Sequence, residues 1–180
     1  MASEATLIKN LKDPNSRNDA FRTLIADYQE KLYWHIRRIV LNHDDTDDVL
    51  QNTFIKVFRS IENFKGESAL YSWMYRIATN ESITFLNQKA KKSGITSEAL
   101  QEQMIGRLVA DVYFDGDEIQ LKLQKAIAKL PEKQRLVFNM KYFQEMKYDE
   151  ISAVLETSVG ALKASYHHAV KKIETELKAH

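Results

Sequence analysis

Glycine and proline are the residues that most turns require, and this chain of 180 residues has only five of the first and two of the second. A many-stranded sandwich or barrel would need many more. The chain is instead rich in helix formers such as Leu, Ala, Lys and Glu, and 44% of it is hydrophobic, which is enough to bury a core. We therefore predict an all-α protein.

Several classes of protein are excluded or disfavoured by what the sequence lacks. The chain has no cysteine, so disulfides, thiolate metal sites and cysteine nucleophiles are ruled out. It has no apolar run of the roughly 20 residues that a membrane span needs, and its first residues lack the apolar core of a signal peptide. We expect a soluble, cytoplasmic protein, and without a glycine-rich phosphate loop we expect no cofactor.

The overall charge is close to neutral, but it is distributed unevenly along the chain. Residues 1–92 carry 14 basic and 12 acidic side chains, a net charge of +2. Residues 93–120 carry one basic and six acidic side chains, a net charge of −5. Residues 121–180 carry 11 basic and seven acidic side chains, a net charge of +4. Two basic blocks separated by an acidic segment can place two DNA-binding surfaces on one chain, although scattered solvated charge would give the same numbers.

Helical periodicity divides the chain in the same way. Apolar residues recur at helical spacing from Phe21 to Ile39, from Val49 to Ile61 and from about Leu70 to Lys92, and again from Ile119 onward. We predict two small helical domains: an N-terminal bundle of three to four helices in residues 1–92 and a C-terminal helix-turn-helix domain in residues 119–180. The glycine-containing, acidic residues 93–118 are predicted to be a linker.

The helix-turn-helix prediction rests on the last 30 residues. A short helix from Asp149 to Glu156 is followed by Thr157-Ser158 and a longer helix, with Ser158 as its predicted N-cap. Six residues fall on the predicted buried face of the longer helix: Val159, Leu162, Tyr166, Ala169, Ile173 and Leu177. The opposite face carries small residues and then imidazole and ammonium donors: Gly160, Ala164, His167, His168 and Lys171. The donors that can reach phosphates or base edges are Lys163, His167, His168, Lys171 and Lys172. Such a face suits a DNA groove, while a plain helical hairpin is the alternative.

A second constellation combines aromatic and basic residues in the N-terminal domain. It consists of Phe64, Lys65, Gly66, Tyr71, Trp73, Tyr75 and Arg76, followed by Asn80 and a basic tail. Single-stranded DNA needs aromatic faces for its unstacked bases and cations for its phosphates, so the cluster could hold an opened promoter strand. Aromatic residues on a helix are also common core residues, and the sequence leaves both interpretations open.

Taken together and in this order, the motifs resemble a bacterial RNA polymerase sigma factor of the extracytoplasmic-function (ECF) group in the sigma-70 family. The similarity covers nearly the whole chain. Its motifs are Asp47-Asp48-Val49-Leu50-Gln51-Asn52, Phe64-Lys65-Gly66-Glu67, Trp73-Met74-Tyr75-Arg76, Leu130-Pro131-Glu132-Lys133-Gln134-Arg135 and Ser158-Val159-Gly160-Ala161-Leu162-Lys163. The resemblance implies a promoter-specificity subunit, not an enzyme.

The resemblance also implies roles for individual residues. Asp48, Gln51 and Asn52 match positions that bind the coiled coil of the largest polymerase subunit. Residues matching the -10 element segment are Asn63, Phe64, Lys65, Gly66, Glu67, Trp73, Arg76 and Asn80. Residues matching the -35 recognition helix are Ser158, Gly160, Lys163, Ala164, His167, His168 and Lys171. The implied partners are core polymerase, including its flap region, promoter DNA and an anti-sigma factor, which in this family is often membrane-anchored.

The chain departs from the family pattern in several places. The family usually has Thr where Ala161 stands and often Arg at Ser165 and His168, so recognition could rely more on DNA shape than on bidentate base contacts. Thr84 and Asn87 replace a usual Asp and Arg near the end of the first domain. The resemblance further implies that acidic residues 111–118 act as nucleic-acid mimics toward the polymerase channel.

Three other functions remain open from the residues alone. His43-Asp44 beside Asp47 and Asp48 resembles part of a metal-hydrolase site, although helix capping explains these acids with fewer assumptions. A double-stranded-DNA regulator that uses only the C-terminal module would bind DNA tightly without polymerase. A helical adapter that binds only protein would tolerate neutralisation of Lys163 and Lys171.

Overall fold

The computed structural model describes residues 3–108 and 117–179, and within these ranges the chain is helical and has no strand. The helices are α1 (Glu4–Lys12), α2 (Arg17–Val40), α3 (His43–Ser60), α4 (Leu70–Lys92), α5 (Ser97–Arg107), α6 (Glu118–Ala128), α7 (Glu132–Tyr142), α8 (Tyr148–Leu155) and α9 (Val159–Lys178). The predicted all-α fold is confirmed. None of the helices in the described residues combines the length and apolar character that crossing a bilayer requires.

The N-terminal domain is built from α2, α3 and α4 around one core, with α1 against α2. Leu24, Leu32 and Ile36 lie on one face of α2 and are fully buried. They share this core with Val57 of α3 and Met74 of α4. Burial of each such side chain contributes about 1.5–3 kcal/mol, so the periodicity that predicts the helices also supplies their packing energy.

The start of α3 differs from expectation. The sequence predicts that the acidic run after His43 caps this helix, but the cap is Asn42, whose side-chain oxygen accepts the backbone N–H of Asp45 at 2.9 Å. The preceding Leu41 adopts a left-handed conformation with φ 58°, which turns the chain between α2 and α3. Asp44 and Asp45 lie in the first turn, where the helix dipole favours their charge.

Part of the predicted linker is a helix. Residues 97–107 form α5, whose N-cap Thr96 accepts the backbone N–H of Ala99 at 3.1 Å. Leu100 is buried, and the side chain of Gln101 donates to the carbonyl oxygen of Ala128 at the end of α6. α5 therefore packs against the C-terminal domain instead of crossing solvent as an extended tether.

The acidic part of the linker falls mostly outside the described residues, which stop at 108 and resume at 117. Asp117 is the N-cap of α6 and accepts the backbone N–H of Gln120 at 2.8 Å. Glu118 pairs with Lys122 at 2.9 Å. These two carboxylates thus stabilise the beginning of α6, and their suggested role as nucleic-acid mimics stays a prediction.

The C-terminal domain has a small core of its own, in which α6, α7 and α9 meet. Ile127 and Leu130 pack with Phe138 of α7 and with Ala169 and Ile173 of α9. Pro131 stands at the N-cap of α7. Its missing backbone N–H removes no helical hydrogen bond there.

The two domains are not separate in the structure, because α8 packs along α4. Met146, Ile151 and Val154 are buried in the same apolar cluster as Met74 and Tyr75 of α4. One side of α4 is therefore covered by the helix-turn-helix domain. Periodicity predicts which face of each helix is apolar, but it contains no information on which helix covers that face.

Candidate nucleic-acid interface

The turn between α8 and α9 holds the last helix in a fixed orientation. Glu156 adopts a left-handed conformation with φ 51°, and the Ser152 hydroxyl donates to the carbonyl oxygen of Thr157 at 2.7 Å. Ser158 then caps α9 by accepting the backbone N–H of Ala161 at 3.3 Å. The helix-turn-helix and its predicted N-cap are both present. The N-terminal end of α9 is thereby presented to solvent.

The exposed face of α9 contains the side chains that the sequence predicts for it. Gly160, Lys163, Ala164, His167, His168 and Lys171 are all exposed, as is Ser158. A Cβ atom added at Gly160 would meet no atom within 4 Å, so the fold itself does not require a glycine there. This end of α9 is free of intramolecular crowding and allows a partner to approach closely.

The opposite face of α9 is buried for most of its length. Leu162, Ala169 and Ile173 are in the core, and the Tyr166 ring stacks on Phe138 with centroids 5.8 Å apart. Leu177 is an exception: it was expected to be buried but is 38% exposed. It lies in the last turns of the helix, beyond the part of α9 that contributes to the core.

Lys163 of α9 and a second lysine, Lys141 of α7, both lie near the ring of Tyr148. The Lys141 ammonium is 4.8 Å from the centroid of the Tyr148 ring, and the Lys163 ammonium is 5.8 Å from the same ring. A tyrosine ring stabilises a cation over its face, so Tyr148 contributes to the placement of both ammonium groups. Lys141 was missed by sequence reasoning because it belongs to α7 and is far from α9 in the sequence.

The loop before α4 exposes a polar strip. Asn63, Lys65, Gly66 and Glu67 are exposed. Gly66 has φ 74°, a left-handed conformation that glycine adopts without strain, and it turns the chain toward α4. The Phe64 carbonyl oxygen accepts a hydrogen bond from the Lys12 ammonium at 2.7 Å, which ties the loop to α1.

The aromatic cluster is divided between core and surface. Phe64 is 4% exposed and Tyr75 is 6% exposed, so in this conformation neither ring is available to stack on a base. For these two rings the structure agrees with the core interpretation, one of the two that the sequence leaves open. Trp73 is partly buried, with its ring centroid 5.1 Å from that of Phe64. The remaining surface of the indole is the aromatic face that α4 can still offer.

Two predicted DNA-contacting residues of α4 differ in their surroundings. Asn80 is exposed. Arg76 forms an ion pair with Glu156 at the end of α8, in the other domain. With the two domains in contact, the Glu156 carboxylate is therefore paired with the Arg76 guanidinium, to which the family resemblance assigns a DNA contact. No linear motif could reveal this pair, because its members are 80 residues apart.

A third exposed surface is a row of side chains on α3, separate in sequence from the face of α9 and from the loop before α4. Asp48, Gln51 and Asn52 are exposed at helical spacing, as predicted. Ile55, one turn further along the same row, is 42% exposed. Sequence reasoning missed Ile55, although its position outside the apolar stripe of α3 was a usable signal.

The histidine and carboxylates at the start of α3 form no metal cluster within the described residues. His43 instead contacts Asp47 at 3.4 Å along the helix and Tyr33 of α2 through its Nδ1 atom at 2.7 Å. These contacts fix the junction of α2 and α3. They account for His43 and Asp47, two of the four residues that had suggested part of a metal site.

Comparisons with known proteins match both halves of the chain. The model of Sigma-70 region 2 matches residues 24–92, and the model of Sigma-70, region 4 matches residues 120–173. The ECF RNA polymerase sigma-E factor of Haemophilus influenzae is 30% identical over 166 residues, which span 88% of this chain and 87% of that protein. The ECF RNA polymerase sigma factor SigW of Bacillus subtilis is 29% identical over 168 residues, 89% of this chain and 90% of that protein.

Two solved structures share the fold. CnrH, solved in complex with the cytosolic domain of CnrY, has a TM-score of 0.70 at 22% identity and covers 98% of this chain and 97% of its own. The sigma factor RpoE of Bartonella quintana was solved with the anti-sigma factor NepR. It has a TM-score of 0.68 at 17% identity and covers 88% of this chain and 96% of its own. The arrangement of helices is thus one that other chains of this length adopt.

Proposed function

This chain belongs to the ECF group of the sigma-70 family, and on that premise we propose that it binds core RNA polymerase and directs promoter-specific initiation of transcription. One observation carries the proposal: residues 24–92 and 120–173, which match the two sigma-70 regions, each expose a surface suited to a different part of that task. The proposal assigns no catalytic step to the chain and places it in the cytoplasm with the polymerase.

We assign polymerase binding to the exposed row of α3. Asp48, Gln51 and Asn52 present a carboxylate and two amides, and Ile55 adds an apolar contact that can be desolvated in a complex. Because these side chains are exposed, substituting them removes no side chain from the core of the bundle. The first domain, residues 1–92, would therefore dock on polymerase through α3 and keep α4 free for promoter DNA.

We assign capture of the -10 element to the loop and the start of α4. The exposed residues Asn63, Lys65 and Glu67 and the partly exposed indole of Trp73 lie on this part of the domain. Stacking of a flipped base on an aromatic ring is worth about 1–3 kcal/mol, which can offset the few kcal/mol that unstacking costs. Arg76 would join this surface only after it leaves Glu156.

We assign the -35 element to α9. Its exposed face begins with Gly160 and Ala164, which allow close approach, and continues with His167, His168 and Lys171, which can donate to bases or phosphates. Ser158 places its cap and the helix N-terminus where a DNA phosphate can bind. Residues 119–180 thus form the duplex-binding domain.

The alternative is a helix-turn-helix regulator that binds DNA without polymerase. It would use α9 in the same way but would leave the exposed row of α3 and the loop before α4 without a task. It predicts tight, specific binding of promoter DNA by the purified chain. A sigma factor predicts weak promoter binding until core polymerase is added.

A regulatory protein partner is also proposed. The structures of CnrH with CnrY and of RpoE with the anti-sigma factor NepR have folds similar to this chain. We propose that an anti-sigma factor holds this chain inactive in the same manner. Co-purification of the full chain with its own host's proteins would identify it.

The proposal is tested by transcription with purified core polymerase and genomic fragments. The chain should direct defined transcripts and should be retained by immobilised core enzyme. Gln51→Ala combined with Asn52→Ala should weaken retention, whereas Gln29→Ala, at an exposed position on α2, should not. Failure of the wild-type chain to bind core enzyme, together with tight DNA binding alone, would favour the regulator.

A further inference from the structure

One buried imidazole connects the two domains. His35 of α2 is 1% exposed. Its Nε2 atom is 2.8 Å from the hydroxyl of Thr79 in α4, and its Nδ1 atom is 2.7 Å from the side-chain nitrogen of Gln144. Gln144 lies between α7 and α8, in the C-terminal domain. Separation of the domains would break the second of these contacts and expose the ring.

The hydrogen-bond pattern defines the protonation state of His35. The Thr79 hydroxyl donates to the carbonyl oxygen of Tyr75 at 2.7 Å, so it accepts from the N–H at Nε2 of His35. The Nδ1 atom is then unprotonated and accepts from the amide of Gln144. The closed arrangement therefore uses the neutral imidazole.

The surroundings of His35 disfavour a positive charge. Burial, and then the nearby Arg38 guanidinium, lower the pKa of His35 to about 3. From α4, the Tyr75 ring packs on the imidazole with centroids 4.8 Å apart, and from the C-terminal domain the neutral amide of Gln144 faces it. Even if that amide rotated to present its oxygen, an imidazolium here would be buried beside Arg38.

The segment that carries Gln144 is itself held against the first domain. The Arg38 guanidinium lies 4.4 Å from the centroid of the Phe143 ring, and Met146 is 4% exposed in the shared core. Between them Glu145 takes a left-handed conformation with φ 52°. Non-glycine residues adopt this conformation at a cost when the surrounding structure requires it. Residues 143–146 therefore behave as one docked unit.

The contact between the two domains involves residues that promoter binding would use. Arg76 is paired with Glu156, and Tyr71 of α4 lies next to Glu150 of α8. Burial, followed by the interaction with Glu150, raises the pKa of Tyr71 to about 12. Two carboxylates of the helix-turn-helix domain thus lie against the helix that would hold promoter DNA.

We propose that the contact between the two domains is a proton-sensitive autoinhibitory clasp, in which neutral His35 holds the C-terminal domain against α4 and protonated His35 releases it. The autoinhibitory part rests on the proposed function, because it treats Arg76 and its neighbours as DNA-binding residues. The conformational part does not, because opening and closing can be measured without polymerase or DNA.

The sign and size of the effect follow from linkage. His35 has a pKa of about 3 when the clasp is closed, and the ordinary value of 6.5 is the upper limit when it is open. The lower pKa in the closed state means that closure is favoured above pH 6.5 and weakened as the pH falls below it. At about pH 5.5 the ratio of closed to open molecules should fall by up to about tenfold.

The test is the distance between the domains in the full chain. The chain has no cysteine, so Arg59→Cys and Glu174→Cys, both at exposed positions, give one unique label in each domain. Energy transfer between the labels is followed from about pH 7.5 to pH 5.5, with the helical circular dichroism signal as a check that the chain stays folded. The variants are His35→Gln and the matched control His43→Gln, which removes a histidine that contacts Tyr33 and Asp47 within the first domain.

We expect transfer to fall with acid in the wild type and in His43→Gln, and to be independent of pH in His35→Gln. The carboxylates of α8 are present in all three proteins, so any acid effect of theirs would remain in His35→Gln. Equal acid opening of wild type and His35→Gln would overturn the proposal, as would a wild type that is open at about pH 7.5 or unresponsive to acid.

A second variant tests the contact from the other domain. Gln144→Leu removes the amide that donates to His35 while keeping an apolar side chain of similar size. We expect it to lower energy transfer already at about pH 7.5, without a change in helical signal. Transfer equal to that of the wild type at this pH would show that the His35–Gln144 contact does not hold the clasp.

Discussion

Under the proposed function, individual side chains on α9 would divide between close contact with bases and attraction to the DNA backbone. Gly160 and Ala164 leave space, whereas Lys163 and Lys171 supply charge. The two roles respond differently to salt, because only phosphate neutralisation releases counterions. The exposed face of α9 can therefore be examined one residue at a time.

Lys171→Gln should weaken promoter binding evenly across DNA sequences. If Lys171 contacts one phosphate, the slope of log K against log salt concentration should decrease by about 0.9. Titration of polymerase-bound chain with DNA at several salt concentrations measures this slope. Lys122→Gln, which removes a charge from α6, is the matched control and should leave it unchanged. Loss of discrimination at a single base pair would instead assign Lys171 to base recognition.

Trp73 is expected to act after promoter binding. Trp73→Leu keeps an apolar side chain beside Phe64 but cannot stack a base, so strand opening should fall by about 5- to 150-fold, the equivalent of 1–3 kcal/mol. Trp73→Phe retains an aromatic ring and should lose much less. Permanganate reactivity of promoter thymines reports opening, and filter binding reports the closed complex. Equal losses in both assays for both variants, in step with a lower melting temperature, would make Trp73 a core residue only.

Residue-level patterns were predictable where exposure follows from helical periodicity alone. The face of α9 from Gly160 to Lys171 and its cap Ser158 agree with the sequence-based expectation. Leu177 does not agree, and the burial of Phe64 was left open, because the burial of both depends on the neighbours that tertiary structure brings to them. The roles of these residues in binding stay predictions.

At the scale of elements, α5 is the least expected feature. The glycines and acidic residues in and around α5 suggest a linker, and its apolar residues are few. The helix is stabilised by contacts from outside itself, with Leu100 buried and Gln101 bonded to the end of α6. Short helices commonly depend on such packing, because their intrinsic stability in water is marginal.

Leu100→Ala should therefore loosen α5 without unfolding the rest. We expect faster amide hydrogen exchange across residues 97–107 and unchanged exchange in α9, since truncating a buried leucine costs about 2–5 kcal/mol locally. Gln103→Ala, at an exposed position on the same helix, is the control. Exchange that rises equally in α5 and α9 would mean that α5 is part of the global folding unit.

At the scale of the whole molecule, the main finding is that the two domains share a core. Charge and periodicity predict two bodies with a connector, and they place the boundaries near those of the matched regions. They do not predict that Met146 and α8 are buried against α4, because an apolar face is compatible with many partners. His35 illustrates the same limit, since its partners are 44 and 109 residues away in the chain.

The closed arrangement predicts a compact particle in solution. A single compact body of 180 residues has a radius of gyration of about 16 Å. Small-angle scattering of the purified chain at about pH 7.5 should give a value near this, and Gln144→Leu should give a larger one. A wild-type value well above 16 Å would indicate that the domains are mostly apart under these conditions.

The open space around Gly160 affects how this protein could change over evolutionary time. A Cβ atom added there meets no atom within 4 Å outside the neighbouring backbone of α9, and almost any replacement for glycine favours the helix by up to about 1 kcal/mol. Substitutions at this position could thus alter which promoters are preferred while the protein keeps its stability. A set of target genes could be exchanged one mutation at a time, without an intermediate that fails to fold.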